Sequence, residues 1–197
     1  SGITNTLKSN DFISYENGQE SIVNLSIAVG ENGVILKSVD NGLTWALKTS
    51  GTTEHINAVT IVSKDAFYAC GDNGSILVSI DQGETWTALT SNVTANLNDI
   101  MFAQYSFGSV TELYGYAVGD NGTVIFTNNY GLTWAPLTSG VTDKLRSVYV
   151  LIDNYLAIAG NLGTILLSQD LGLTWTTVVT GTVENVNDIK FLGQDVV

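Results

Sequence analysis

The sequence predicts an all-β protein: a β-propeller of four-stranded antiparallel blades, with four complete blades plus one extra strand, in a single domain spanning residues 1–197. Three observations predict it. One phrase occurs four times, as "SVDNGLTW" at 38–45, "SIDQGETW" at 79–86, "TNNYGLTW" at 127–134 and "SQDLGLTW" at 168–175. A second phrase, "VGENG", "CGDNG", "VGDNG" or "AGNLG", precedes each copy in fixed register, its first glycine (Gly30, Gly71, Gly119, Gly160) standing at one constant interval before the box tryptophan. The segments between are short β-branched and aromatic runs bounded by Gly, Asn and Asp, with no helical period and one proline, Pro136.

The box tryptophans are Trp45, Trp86, Trp134 and Trp175. The first and last spacings are equal, and the middle one is longer. After each tryptophan an apolar residue follows, again at one constant interval: Val59, Ile100, Val148 or Ile189. The frame from first glycine to that residue therefore has the same length in every unit. A unit reads as strand a ("NDIMF"), strand b ("YGYAVG"), strand c ("GTVIFTN") and strand d ("TWAPLTS"). The units run from about 10 to 56, 57 to 97, 98 to 145 and 146 to 186, with a partial fifth at 187–197.

Taken in order along the unit, the Asn-Gly pairs at 32–33, 73–74 and 121–122 suit a two-residue type I′ turn between b and c, since both central residues need positive φ. The box falls at the c-to-d turn. Gly42, Gly83, Gly131 and Gly172 supply the unusual backbone angles there. Asp40, Asp81 and Asp170 accept N–H bonds across the turn, closed further by Thr44, Thr85, Thr133 and Thr174. Asn129 stands in the third box, and its carboxamide oxygen serves the same purpose. The box tryptophan then opens strand d and wedges between sheets, removing on the order of 150–250 Å² from solvent. A calcium loop would need spaced oxygen ligands and a distal bidentate Glu, which the boxes lack.

Composition bounds the function. The formal net charge is −12, with seven Lys plus Arg against nineteen Asp plus Glu. Nucleic-acid binding needs cations to displace counterions from phosphates, and an anionic membrane surface also asks for basic residues, so neither partner is expected. No apolar run reaches the roughly 20 residues of a membrane helix. One cysteine, Cys70, cannot form an internal disulfide. It takes the strand slot of Val29, Val118 and Ala159, which reads as core rather than nucleophile. The only histidine, His55, shares a loop slot with Asn96, Lys144 and Asn185 and reads as solvated. Asn24, Asn73, Asn92 and Asn121 head Asn-x-Ser/Thr sequons, and the turns already account for two of them. No cofactor and no metal site is expected.

The pattern Ser/Thr-x-Asp-x-Gly-x-Thr-Trp resembles the Asp-box, or BNR repeat, of sialidases, related glycosidases and sortilin-type receptors. With the upstream "AVGxNGxIL" phrase the unit is similar to the photosystem II stability and assembly factor propellers and their bacterial and bacteriophage relatives. The resemblance runs from about residue 10 to 197. Sialidase chemistry implies an arginine triad with a Tyr nucleophile assisted by a Glu, and this chain has one arginine, Arg146. The assembly factors are seven-bladed and carry an arginine-rich patch, from which this acidic chain departs. No phosphate-binding loop is present, because "GDNG" lacks the following Lys-Ser/Thr. No carboxylate pair stands out from turn duty as a glycosidase acid and base.

Function is therefore expected where units differ. The a-to-b segment alternates between long and short, which places two protruding hairpins, "YENGQESIVNLS" and "AQYSFGSVTELYG", on alternate blades and on the box face. The second carries Tyr105, Phe107, Tyr114 and Tyr116, which suit a protein or sugar surface or else pack on one another or on neighbouring blades. On the opposite face Glu31, Asp72 and Asp120, with Asn161, share one slot and either hold a cation or basic partner or solvate a tight turn. The expected role is a non-catalytic scaffold binding a protein or carbohydrate partner, extracellular or on a virion surface. The alternatives are an assembly-factor-like chaperone and an Asp-box glycosidase-related domain without the triad. The spare strand "NDIKFLGQDVV" fits an excerpt of a larger ring, a four-bladed ring in which it displaces residues 11 to 15, or half a ring completed by a second copy as a homo-oligomer or larger assembly.

Overall fold

The structure, a computed structural model, describes residues 2–16, 22–107, 110–150 and 155–191, the side chains of 105–107, 110 and 111 excepted. Among the described residues sixteen strands form four sheets of four. Blade 1 is β1 (Leu7–Glu16), β2 (Ile22–Gly30), β3 (Ile35–Ser38) and β4 (Ala46–Lys48). Blade 2 is β5 (Ile56–Ser63), β6 (Ala66–Gly71), β7 (Ile76–Ser79) and β8 (Thr87–Leu89). Blade 3 is β9 (Leu97–Phe107), β10 (Val110–Gly119), β11 (Thr123–Thr127) and β12 (Ala135–Thr138). Blade 4 is β13 (Leu145–Val150), β14 (Leu156–Gly160), β15 (Ile165–Ser168) and β16 (Thr176–Thr177). Each sheet is antiparallel in chain order, so the a-to-b and c-to-d turns share one end and the b-to-c turns sit at the other.

The turns take the predicted form. Asn32 (φ 54°, ψ 37°) and Gly33 (φ 70°) are both left-handed, and Val34 N–H donates to Glu31 O at 3.2 Å, which is a type I′ turn. Neighbouring backbone explains why the second turn residue must be glycine. A Cβ on Gly74 would lie 2.0 Å from Val93 O, a carbonyl of the linker that leads to the next blade. The first glycine is held for the same reason at extended φ: a Cβ on Gly71 would lie 2.0 Å from His55 O of the preceding linker. Each b-to-c turn is thus clamped between two linkers, which is why the frame cannot change length.

Successive blades pack through their apolar faces. Leu25, Ile27, Val29 and Ile35 of blade 1 bury against Val59, Phe67 and Trp86 of blade 2. Tyr68, Cys70 and Ile76 of blade 2 meet Ile100, Phe102 and Trp134 of blade 3. Tyr116, Val118 and Val124 of blade 3 meet Val148, Ile158 and Leu166 of blade 4, with Trp175 at the margin. So the tryptophan of each blade closes the seam with the blade before it, as expected for Trp86 and Trp134, which are buried. Trp45 differs. Among the described residues it has no blade behind it, is half-buried against Ile3, Ala28 and Leu36, and leaves Phe12 on the same face 68% exposed.

The inner strands lie side by side in the order β1, β5, β9, β13, and no contact of that extent joins β13 to β1. The described blades therefore form an open arc, not a closed ring of four. Residues 187–191 take the inner place beside β13 but pair with no strand among the described residues. Ile189 N–H donates to Ser147 Oγ at 3.4 Å, as Val148 N–H donates to Asp99 Oδ2 at 2.9 Å one seam earlier. The spare strand has the position of a fifth strand a without a sheet of its own.

Candidate functional site

The box turns are self-contained hydrogen-bond units. In the first, Thr44 N–H and hydroxyl donate to Asp40 Oδ1 (2.9 Å) and Oδ2 (2.5 Å), Ser38 Oγ donates to Asp40 Oδ1 (2.8 Å), and Gly42 N–H donates to Ser38 Oγ (2.9 Å). The second and fourth boxes, at Asp81 and Asp170, repeat this set. The hydroxyl of the box threonine and its N–H hold Asp40 and Asp170 below the usual carboxylate range and bring Asp81 to about 2. In the third box Asn129 keeps the geometry with one bond reversed: Oδ1 accepts Thr133 N–H at 3.0 Å, and Nδ2 donates to Thr133 Oγ1 at 2.8 Å. Every polar atom of the box side chain is engaged inside the turn, so Gly42, Gly83, Gly131 and Gly172, all at positive φ, serve folding.

The carboxylates on the opposite face also have local partners. Glu31 accepts Thr6 N–H at 3.3 Å, and that bond first of all holds its carboxyl below the usual range. Asp72 accepts Asn57 Nδ2 at 2.8 Å, and the same amide donates to Leu97 O of blade 3 at 2.8 Å. Asp120 receives Asn98 (3.0 Å), Asn96 (3.2 Å) and the Lys144 ammonium (3.0 Å). Burial pushes Asp120 up, but these donors outweigh it and leave the carboxyl low. In blade 4 the slot is Asn161, whose Oδ1 accepts Arg146 Nε at 2.5 Å. The Asn57 and Asn98 amides that serve Asp72 and Asp120 also reach the next blade, at Leu97 O and Leu145 O, whereas the Glu31 and Asn161 bonds stay within their own blades. Among the described residues, no three His, Cys, Asp or Glu side chains are grouped to hold a metal ion.

The two long hairpins are real. β3 pairs with β2 only over Ser26–Val29, so Ile22–Leu25 and Ile13–Glu16 continue beyond blade 1 as a two-stranded ribbon. β11 pairs with β10 only over Gly115–Val118, and β9–β10 likewise run past blade 3. Both ribbons rise on the box face. The tips, 17–21 and 108–109, and the side chains of Tyr105 and Phe107 lie outside the described residues. Tyr116 is a correction to the expected surface: it is fully buried, and its hydroxyl donates to Leu171 O in the next blade's box at 3.2 Å. Tyr114 stacks on Phe126 (centroids 5.7 Å) and donates to Glu112.

That tyrosine bond recurs. Tyr68 OH donates to Tyr130 O at 3.0 Å across the second seam, and Tyr15 OH to Gln82 Oε1 at 3.2 Å across the first. Each acceptor belongs to the positive-φ residue before the box glycine of the next blade. His55 is a second correction. It is not merely solvated, because its Nδ1 accepts Asn32 N–H of blade 1 at 3.0 Å, as Asn96 Oδ1 accepts Asn73 N–H at 3.0 Å and Asn185 Oδ1 accepts Leu162 N–H at 3.3 Å. Cys70 is buried, and burial pushes its thiol well above the ordinary value, as befits a core residue.

On the concave inner side, Asp11, Asp99 and Asp188 line a cavity of about 300 Å³ with Thr60, Met101, Tyr149 and Lys190. Asp11 Oδ2 accepts Ile61 N–H at 2.7 Å and Asp99 accepts Val148 and Ile100 N–H, each at 2.9 Å. Burial pushes the Asp99 carboxyl above its ordinary value against the pull of those donors. Asp11 and Asp99 thus satisfy amides on the free edge of the neighbouring inner strand, while Asp188 accepts the Ser147 hydroxyl at 3.0 Å.

The box face also carries exposed apolar side chains, as the opposite face does at Leu162. The turn side chains Val39, Leu43, Ile80, Tyr130, Leu132 and Leu173 are all exposed, Leu43 by 82%. Turn geometry demands none of them.

No family model matches the chain, and no curated protein matches it in sequence. Among solved structures it is similar to YCF48 from Cyanidioschyzon merolae, with TM-score 0.69 and 18% identity over 99% of this chain and 63% of that one. It is also similar to the Niastella koreensis GH74 enzyme, with TM-score 0.59 and 21% identity over 78% of this chain and 27% of that one. An ancestral GH74 enzyme gives TM-score 0.62 and 15% identity over 78% of this chain and 22% of that one. The chain thus spans less than two thirds of the YCF48 chain and about a quarter of each enzyme. Likeness at these identities establishes the β-propeller fold.

Proposed function

We propose that the chain is a non-catalytic β-propeller scaffold that binds a protein or glycan partner through its box face, with the four boxes being Asp-boxes in the sense of the repeat family they resemble. The observation that carries the reading is the polarity of the two faces. Carboxylates and amides of the b-to-c face are engaged in hydrogen bonds within and between blades, whereas the box face carries both ribbons and a series of exposed Leu, Ile, Val and Tyr side chains that the fold does not use. Exposed apolar groups gathered on one face mark an interaction surface more often than they serve stability.

A non-catalytic role is supported by how the polar side chains are used. The box aspartates, the turn-face carboxylates and the inner Asp11 and Asp99 are each hydrogen-bonded to backbone or amide donors, Asp188 accepts the Ser147 hydroxyl, and the single arginine is held by Asn161. A surface-exposed or virion setting is part of this proposal, in keeping with the acidic, weakly charged composition. The experiment is to place a photo-crosslinking residue at Leu132 on the box face and, separately, at Leu162 on the opposite face. Specific adducts at Leu132 alone are expected. Adducts at Leu162 alone would move the site to the other face, and hydrolysis of a glycan by the purified chain would overturn the non-catalytic reading.

A further inference from the structure

The first seam is built differently from the other two. In seam 2 Tyr68 of blade 2 stacks on Phe102 of blade 3 (centroids 4.1 Å), and within blade 3 Phe102 meets Trp134 edge-on (5.9 Å) and Tyr116 lies beside its cross-strand partner Phe126 (5.0 Å). Seam 1, whose core includes Phe67 and Trp86, carries charge in addition. Lys37, only 7% exposed, takes the strand slot of Val78 and Phe126 and pairs with Glu84 of blade 2 at 2.7 Å, and Lys48 reaches the same carboxylate at 2.6 Å. On the far end of this seam the linking residue is His55, where the second seam has Asn96, the third has Lys144, and Asn185 serves the turn of blade 4.

The chemistry of that link depends on protonation. A backbone N–H can only donate, so the 3.0 Å bond from Asn32 requires a lone pair on His55 Nδ1. A protonated imidazole has donors at both nitrogens and no acceptor, and histidine is the side chain that ordinarily changes charge between about pH 5 and 8. His55 also ties the two b-to-c turns together, because its own carbonyl accepts Asp72 N–H at 2.9 Å. The groups around it are Glu31 on the blade 1 turn, Lys8 on β1 (bonded to Asn57 at 2.8 Å), Glu54 on its own linker (accepting Asn73 Nδ2 at 2.8 Å) and Asp72 on the blade 2 turn. Three of the four are acids, so an imidazolium formed there has carboxylates to turn toward once it has lost Asn32.

We infer that His55 is a pH-sensitive clasp between blades 1 and 2: the neutral imidazole fastens the blade 1 turn through Asn32, and protonation releases it. Blade 1 carries the first ribbon of the box face, so acid loosens one wall of that face while seams 2 and 3 stay closed. Asn96 and Asn185 do the same work with an amide oxygen that does not titrate in this range.

The test is NMR on the whole chain, labelled with ¹⁵N. The scalar coupling across the hydrogen bond between Asn32 N and His55 Nδ1 reads the clasp directly, and hydrogen-exchange protection of the Asn32 amide reads its consequence. From pH 8 downward, the coupling should vanish as the imidazole resonances report protonation, and Asn32 protection, corrected for intrinsic exchange, should fall at least tenfold. The Asn73 amide is the internal control and should keep its protection. His55→Asn should hold Asn32 protection constant across the range, with His55→Gln as a second variant. The proposal is overturned if Asn32 stays equally protected after His55 has protonated, if the imidazole takes up no proton down to pH 5, or if His55→Asn loses protection with the same pH dependence as the wild type.

Discussion

Removing Trp134 tests the seam architecture most directly. The ring is 3% exposed and packs edge-on against Phe102 at 5.9 Å within the cluster shared by blades 2 and 3. Burial of roughly 150–250 Å² at about 25 cal/mol per Å² is worth about 4–6 kcal/mol. The aromatic pair adds about 1 kcal/mol. Against this, the Trp134 indole N–H is buried with no hydrogen-bond partner, so deleting it relieves a cost of about 1–3 kcal/mol. The net expectation for Trp134→Ala is a loss of about 3–5 kcal/mol, the range found for large aromatics truncated in cores. At an m-value of about 2 kcal/mol per M, the urea midpoint should drop by about 2 M. Trp45→Ala is the matched comparison, because its ring is half-buried on the open face and its Nε1 donates to Gly42 O at 3.0 Å. It should cost less than half as much. Equal losses at the two sites, or less than about 1 kcal/mol at Trp134, would refute the claim that the tryptophan acts by closing the seam behind its blade.

Three further predictions follow the same geometry. Asp81 is lowered from its ordinary 3.8 to about 2 in the folded chain, so its contribution to stability is present above pH 4 and is lost as pH falls through 2. The group is open to solvent, which screens the effect, and the reading is a slope: Asp81→Asn should fold with the hydrogen bonds of the Asn129 box and show a shallower acid dependence in urea titrations between pH 4 and 2. Leu162 sits at φ 55° in the slot of Asn32, Asn73 and Asn121 and is 62% exposed, so Leu162→Asn should stabilise by about 1 kcal/mol in thermal or urea unfolding. Gly74→Ala should destabilise by about 3 kcal/mol or more, since the new Cβ would lie 2.0 Å from Val93 O at φ +70°, and an unchanged melting temperature would contradict the clamped turn.

The local chemistry of this fold was legible because it repeats. Asn-Gly at a strand junction demands a type I′ turn whatever surrounds it, and the Ser-x-Asp-x-Gly-x-Thr pattern closes its bonds within its own length, so both could be read off one copy. The extra length of two hairpins was likewise visible as spacing. What the sequence hid lies between units. Nothing in the string "TEHIN" says that His55 reaches back to the turn at Asn32, and the bond exists only because adjacent blades bring those segments together. Tyr116 reads as one of a cluster of hairpin aromatics. Its position just before Gly119, the slot that Tyr68 holds before Gly71, was the available sign that it belongs to a seam. Lys37 in a strand slot otherwise held by Val78, Phe126 and Leu167 was a similar signal, since a lone cation among apolar equivalents calls for a partner across the seam, and Glu84 is the one box residue that departs from leucine at its slot.

The same constraint explains where variation is allowed. From the first glycine to the next inner strand, each residue count is fixed at both ends: a linker carbonyl lies within 2.6 Å of where a Cβ would stand on the first glycine, and the following linker's carbonyl crowds the turn glycine. Lengthening any part of that frame would push a linker off its glycine and open a seam. The a-to-b hairpin stands outside both clamps and, among the described residues, touches the neighbouring box turn through contacts such as Tyr15 with Gln82. It can therefore lengthen at the cost of loop entropy alone, which grows slowly with length. The leucines after the turn glycine, Leu43, Leu132 and Leu173, are equally free, since the turn's bonds use its backbone and the flanking Ser, Asp and Thr, whereas Glu84 at that slot is held by Lys37 and Lys48. A surface assembled from those two sets of residues can change its partner without disturbing a seam, which is the physical reason to look for binding there and not on the stitched face opposite.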